Sequence, residues 1–218
     1  MIIAVDGPAA SGKGTIARAL AKHFDLPHLD TGLLYRAVAL NLLRWGGDPE
    51  SEFQAVRACD FAQVDFDDPE LKSEAVGGLA SRISVYPMVR HALLERQRGF
   101  AAQPGGAVLD GRDIGTVIAP DADAKLFVTA RIEVRAQRRF EELTRLAKNV
   151  SLEDVLIDLE ARDSRDANRA AAPLAMAQDA VLLETSDLAI DAAVQRAIAL
   201  AEAQVSEARR NRRTPPRS

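Results

Sequence analysis

The chain has 218 residues, enough to bury one full core, and its 47% hydrophobic and 28% charged residues are the proportions of a globular domain. A formal net charge of -4 gives no overall attraction to nucleic acid, and the single cysteine, Cys59, excludes an internal disulfide. No spacing of Cys or His suits a metal, no apolar run reaches membrane-spanning length, and the chain opens directly on a strand-like run, so a cytoplasmic protein with no nucleic-acid or membrane partner is expected.

That opening run, Ile2 to Asp6, leads into Gly7-Pro8-Ala9-Ala10-Ser11-Gly12-Lys13-Gly14-Thr15 and then into strongly helix-forming residues, Ile16 to Ala21. Strand, glycine loop and helix in this order read as a phosphate-binding loop. Gly7 and Gly12 allow backbone angles and approaches that a Cβ would forbid, the helix N-terminus adds partial positive charge, and Lys13 can follow the β- and γ-phosphates of ATP. Gly14 stands where the usual G-x-x-x-x-G-K-[ST] pattern has its hydroxyl, and Thr15, one residue later, is the candidate for Mg²⁺. The Gly-Lys-Gly-Thr ending resembles the nucleoside monophosphate kinases, adenylate kinase among them.

Leu26 to Asp30 is a second short strand, and Leu33 to Trp45 has helical spacing up to Gly46-Gly47. Thr31 and Arg36 flank that strand-to-helix turn, at the end of a strand where open parallel sheets place ligands; they also suit an N-cap and a solvated charge. Asp48 to Arg57 suggests a further helix and Asp60 to Glu70 an acidic connector, before helices over Glu70 to Ile83 and Pro87 to Phe100. After the break at Gln103-Pro104-Gly105-Gly106, the strand Ala107 to Asp110 ends in a carboxylate that either reaches Mg²⁺, directly or through water, or caps a turn. The strand Ala124 to Thr129 precedes a helix from Ile132 to Leu146, on which Arg135 and Arg139 share a face.

Ser151 and Asp154 suit the start of a helix running to Asn168, whose end places Arg162, Arg165, Asp166 and Arg169 on one stripe. Such a stripe is either an ion-paired surface or a row of donors for a trianionic phosphoryl group. A last strand, Ala180 to Thr185, and a helix, Asp187 to Glu202, complete the pattern. The alternation predicts an α/β protein: a P-loop three-layer fold with a five-stranded, mostly parallel sheet. Its core would comprise 1–30, 101–130 and 173–207, with a helical acceptor-binding region over 31–100, a helical lid over 131–172 and a disordered basic tail over 208–218.

Beyond the phosphate loop, Leu29 to Arg36, Tyr86-Pro87-Met88-Val89-Arg90, Leu109 to Val117, and Arg162-Asp163-Ser164-Arg165-Asp166 with Asn168-Arg169 resemble the bacterial cytidylate kinases. The resemblance covers nearly the whole chain before the tail. It implies phosphoryl transfer from ATP, with Mg²⁺, to CMP and dCMP; a monomer is expected, though the sequence itself leaves the oligomeric state open. It assigns Thr31, Arg36, Ser81, Arg90, Arg112 and Asp113 to the acceptor's base and phosphate, and Arg162, Asp166 and Arg169 to its sugar and phosphate. Lys13, Arg135, Arg139 and Arg169 would stabilise the transferring group, and Thr15 and Asp110 would serve the metal. The chain departs from that family in its short 60–70 connector, where many members carry a small β-sheet insertion, and in Lys72, where many have arginine. Rival readings are a small kinase for AMP, UMP or shikimate, and an ATP-binding module without turnover.

Overall fold

The computed structural model describes every residue except 61–64, 147–149 and 214–218. In chain order it has β1 (Ile2–Asp6), α1 (Lys13–Phe24), β2 (His28–Asp30), α2 (Thr31–Trp45), α3 (Glu52–Arg57), α4 (Glu74–Ile83) and α5 (Pro87–Ala101). Then follow β3 (Ala107–Gly111), β4 (Ala124–Thr129), α6 (Ile132–Arg145), α7 (Leu152–Asn168), β5 (Val181–Glu184) and α8 (Ile190–Arg213). The five strands form one sheet in the order β2-β3-β1-β4-β5. Every pairing is parallel, so the sheet is wholly rather than mostly parallel. Parallel neighbours require crossover connections, which the helices supply.

Alternation along the strands explains the layers. Ile3 and Val5 of β1 join Val108, Leu126, Val128 and Leu183 in a cluster with Ile16 and Leu20 of α1 and Ala197 and Ala201 of α8. Ala4, between them, belongs with Leu109, Ile114 and Ile118 on the opposite face. A further core of α2, α4 and α5 residues, including Leu40, Leu71, Ile83 and Leu93, makes the helical block outside the sheet. A smaller cluster of Ala9, Ala136, Leu143, Val155 and Leu159 seats α6 and α7 on the loop after β1.

Local chemistry sets several boundaries as expected. Gly46, at φ 72°, ends α2; Pro87 opens α5; Ser151 Oγ accepts from Asp154 N at 3.0 Å to start α7. Other boundaries differ. The stretch read as one helix from Glu70 splits at Ser73, whose side chain caps α4 after a short 3-10 turn, Pro69–Lys72. Helix α3 begins only at Glu52, because Ser51 accepts from Gln54 N and fixes the start there. A five-residue π-helical turn, Ile114–Ile118, was not expected from the sequence.

The final helix runs to Arg213, so 208–213 of the supposed tail is helical. Val205 is buried, and Arg212 reaches Asp123 at 2.6 Å, anchoring the extension to the segment before β4. The remainder of the tail, 214–218, and residues 61–64 of the acidic connector lie outside the described residues. Among the described residues no strand pairs outside the one sheet. None of the helices described is long and apolar enough to cross a membrane.

Candidate active site

The carboxyl ends of β1, β2 and β3 carry the loop after Asp6, the Asp30-Thr31 junction and the Gly111-Arg112-Asp113 turn, which together form the floor of a cleft. In the loop, Gly7 has φ 152°, and a Cβ there would lie 2.0 Å from the Val128 carbonyl oxygen. Ala10, at φ 58°, and Gly12, at φ 90°, also take left-handed angles, and α1 begins at Lys13. The Pro8 carbonyl accepts from Lys13 Nζ at 3.4 Å, and Ala9 packs beneath α6 and α7. Burial, with Arg112 close by, brings the Lys13 pKa down to about 8. Ser11 is fully buried and its hydroxyl has no partner among the described residues.

Five arginines line the cleft, from α2, α5, the turn after β3 and the far end of α7, and a sixth, Arg165 of α7, stands beside it. Arg36 of α2 donates to Leu71 O at 2.7 Å and Ser73 O at 3.2 Å, so its guanidinium is aimed by α2 and held by the turn before α4. Arg90 of α5 pairs with Asp113 and stacks over the Tyr35 ring, 5.7 Å from its centroid. Arg112 Nε donates to Asp166 Oδ2 at 2.8 Å, which links the turn after β3 to α7. Arg169 donates through Nε to Ala172 O at 2.6 Å and through Nη2 to Asp113 Oδ1 at 3.4 Å. Arg165 Nε donates to Ser81 Oγ at 3.2 Å.

Arg162 differs from these. Its Nε is buried with no partner among the described residues, and burial and the neighbouring Arg112 charge lower its pKa to about 10. Burial would raise the Asp166 pKa, but Arg112, Arg162 and Arg169 more than offset it and hold that carboxyl below its ordinary value. Thr31, Arg36, Ser81, Arg90, Arg112, Asp113, Arg162, Asp166 and Arg169 all line one cleft with Lys13, so every expected acceptor residue converges there.

Three local details refine their roles. Thr31 Oγ1 donates to Asp110 O at 2.8 Å, and Asp30, not Thr31, caps α2 by accepting from Gly32 N at 2.9 Å. A Cβ on Gly111 would lie 2.5 Å from Thr31 Oγ1, so the chain bends tightly under the hydroxyl. Asp113 is flanked by Arg90 and Arg169, whereas Arg112 turns to Asp166.

Thr15 and Asp110 are not brought together. Thr15 is exposed and lines a second cleft with Arg138, Thr185 and Ile190, while Asp110 faces Lys13, Asp30 and Arg162. Asp30 and Asp110 are register partners on adjacent strands, and His28 Nε2 lies 2.7 Å from Asp110 Oδ1. Burial and the Asp110 charge push the Asp30 pKa up. Arg135 and Arg139 also part company. Arg135 is buried and spends its donors on Ala130 O at 2.9 Å, Ala9 O at 3.2 Å and Asp163 at 2.7 Å. Arg139 faces the cleft and pairs with Glu142 and, across to α4, with Glu74.

In the sequence Asp6 reads only as the end of a strand at the head of the phosphate loop. It is buried and accepts from Ile114 N at 2.8 Å and Gly115 N at 2.7 Å, fixing the π-helical turn that carries Arg112 and Asp113 on its approach. A carboxylate at a strand end beside a phosphate loop was the available signal, but its partners lie more than a hundred residues away.

A family model for cytidylate kinase matches residues 3–203. The chain is 55% identical over 203 residues to a cytidylate kinase of Methylocella silvestris, covering 93% of this chain and 94% of that one. It is 56% identical to cytidylate kinases of Xanthobacter autotrophicus, over 94% and 98% of the two chains, and of Azorhizobium caulinodans, over 93% and 98%. A solved structure of an uncharacterized protein from Eubacterium ventriosum shares the fold, with a TM-score of 0.55 at 14% identity over 93% of this chain and 98% of that one. The chain belongs to the cytidylate kinase family and is a phosphotransferase.

Proposed function

We propose that this kinase transfers the γ-phosphoryl group of ATP to CMP and dCMP, giving CDP and dCDP. The observation that carries this reading is the one cleft in which Lys13 of the phosphate loop stands near Arg112 and Arg162, and which Ser81, Arg90 and Asp113, the last paired with Arg169, also line. The cationic end suits two phosphate chains held head to head. The Ser81, Arg90 and Asp113 end combines donors with one carboxylate acceptor, which suits the edge of cytosine, with two acceptors and one amine.

Catalysis on this reading is placement and charge neutralisation. The acceptor phosphate is already anionic, so the protein need not remove a proton. Lys13 draws the donor's terminal phosphates toward the loop, and Arg36, Arg112, Arg162 and Arg169 hold the acceptor phosphate in line with them. Asp166, which is bonded to Arg112, would accept from the sugar. Helices α6 and α7 act as the lid over the loop, excluding water that would otherwise take the phosphoryl group. Arg135 serves by tying α6 to Ala9 of the loop and to Asp163 of α7 rather than by touching phosphate.

Asp110, with Asp30 beside it, would hold Mg²⁺, because two neighbouring carboxylates of which one is pushed toward its protonated form are a donor set suited to a divalent cation. When bound, that ion spreads the charge of the β- and γ-phosphate oxygens.

The test is ADP release over a panel of acceptors. CMP and dCMP should support turnover far better than UMP, AMP or shikimate, and Lys13→Ala should abolish it with an unchanged circular dichroism spectrum. ATP binding with no acceptor-dependent ADP would replace the proposal with a binding module. Activity of Lys13→Ala within tenfold of the parent would remove the loop lysine from the mechanism, since several kcal/mol of charge stabilisation should be lost.

A further inference from the structure

Ser81 lies buried on α4, and its Oγ accepts the Nε–H of Arg165, 3.2 Å away on α7. A guanidinium nitrogen can only donate, so it occupies a lone pair of the hydroxyl and cannot take the hydroxyl proton. Among the described residues no acceptor takes that proton either. Ser81 lines the cleft with Arg90 and Asp113, where a bound base is the remaining acceptor for that proton.

A serine hydroxyl is normally indifferent, donating to one partner and accepting from another. Such a group would tolerate both pyrimidines, because cytosine offers a bare ring nitrogen at N3 and uracil an N–H. The charge of Arg165 breaks the symmetry: a cation bonded to the oxygen makes it a poorer acceptor and a stronger donor.

We propose that Arg165 is a positioning residue for base selection, which holds the Ser81 hydroxyl as a hydrogen-bond donor toward N3 of cytosine and so sets it against the N3–H of uracil. This rests on the reading of the acceptor as a cytosine nucleotide. Because Arg165 belongs to α7 and Ser81 to α4, the discrimination exists only while the two helices are in contact, which ties the choice of base to closure over the cleft. Asp113 reads the exocyclic amine; the Arg165 and Ser81 pair adds a second, independent reading at the ring nitrogen.

The test is kcat/KM for CMP and for UMP in the parent enzyme, Arg165→Met, Ser81→Ala and the double variant. The CMP-to-UMP ratio should fall about three- to tenfold in Arg165→Met, by a similar factor in Ser81→Ala, and no further in the double variant, because the two residues act as one unit. Arg165→Lys, which keeps a charged donor, should recover part of the ratio. Ser81→Ala leaves α7 untouched, so the result stands even if Arg165→Met folds poorly. A ratio unchanged in both single variants, with both substrates slowed alike, would overturn the proposal and make Arg165 a phosphate or packing residue. Fully additive losses would overturn it too. Absence of CMP turnover in the parent enzyme would overturn the function itself, and is seen before any variant is compared.

Discussion

Arg162 is a charge that the folded protein carries at a cost. Its Nε is buried with no partner among the described residues, and burial and the adjacent Arg112 weigh against the charge more than Asp166 and Asp158 support it. A buried unsatisfied polar group costs about 1–3 kcal/mol. Arg162→Met should therefore leave the melting temperature unchanged or raise it by several degrees, about 2–4 °C for each kcal/mol in a chain of this size. The same variant should raise KM for CMP at least tenfold, since an acceptor anion would be the missing partner. Differential scanning calorimetry with initial-rate kinetics separates the cases: a lowered melting temperature with an unaltered KM would make Arg162 part of the scaffold. Arg165 and Arg162 sit on the same predicted stripe, yet the Nε of one donates to Ser81 and the Nε of the other finds no partner among the described residues. Spacing places residues on a face; only the neighbouring helix decides which of them finds a partner.

The elements that could be read from the sequence are those whose cause is local. Ile2 to Asp6 is an apolar run of strand length, Gly46 ends α2 by its left-handed angle, and Ser151 with Asp154 starts α7, each within a few residues of its signal. The turn over Ile114–Ile118 has no such signal, because Asp6 holds it from 108 residues away. The extension of α8 past Glu202 likewise depends on Asp123, and the separation of Thr15 from Asp110 on how α1 is rotated against the sheet. The Asp6 contact has a pH signature. Burial raises this carboxyl to about 6, Asp113 adds to the rise, and the Gly115 and Ile114 amides and Arg112 oppose it. A carboxyl whose pKa is higher in the folded chain takes up protons on folding, so its contribution to stability is complete below about pH 4 and is lost as pH rises through about 6. The stability advantage of the parent over Asp6→Asn should accordingly shrink by up to about 3 kcal/mol between those limits in urea titrations. A constant difference across that range would show that Asp6 stays ionised throughout.

Across the whole molecule the α6 and α7 pair is joined to the rest by polar bridges and one small apolar cluster, whereas the sheet is sealed on both faces. The bridges are of unequal worth. Arg139 with Glu74 is partly exposed, the glutamate side chain at 43%, so the pair contributes less than about 1 kcal/mol. Arg112 with Asp166 is buried, and removing the carboxylate would strand Arg112 beside Arg162 and Arg169, at a cost of about 3–5 kcal/mol. If the pair opens as a unit of its own, these costs fall on its local stability and leave the sheet alone. Amide hydrogen exchange in α6 and α7 should then rise no more than about fivefold in Glu74→Ala, and about a hundredfold or more in Asp166→Asn. Exchange in β1 and β3 should stay at the parent's rate in both variants. Acceleration of the strand amides to the same extent as the helices would mean that the two parts unfold together. In that event the bridges would stabilise the fold as a whole, and closure over the cleft would need another hinge.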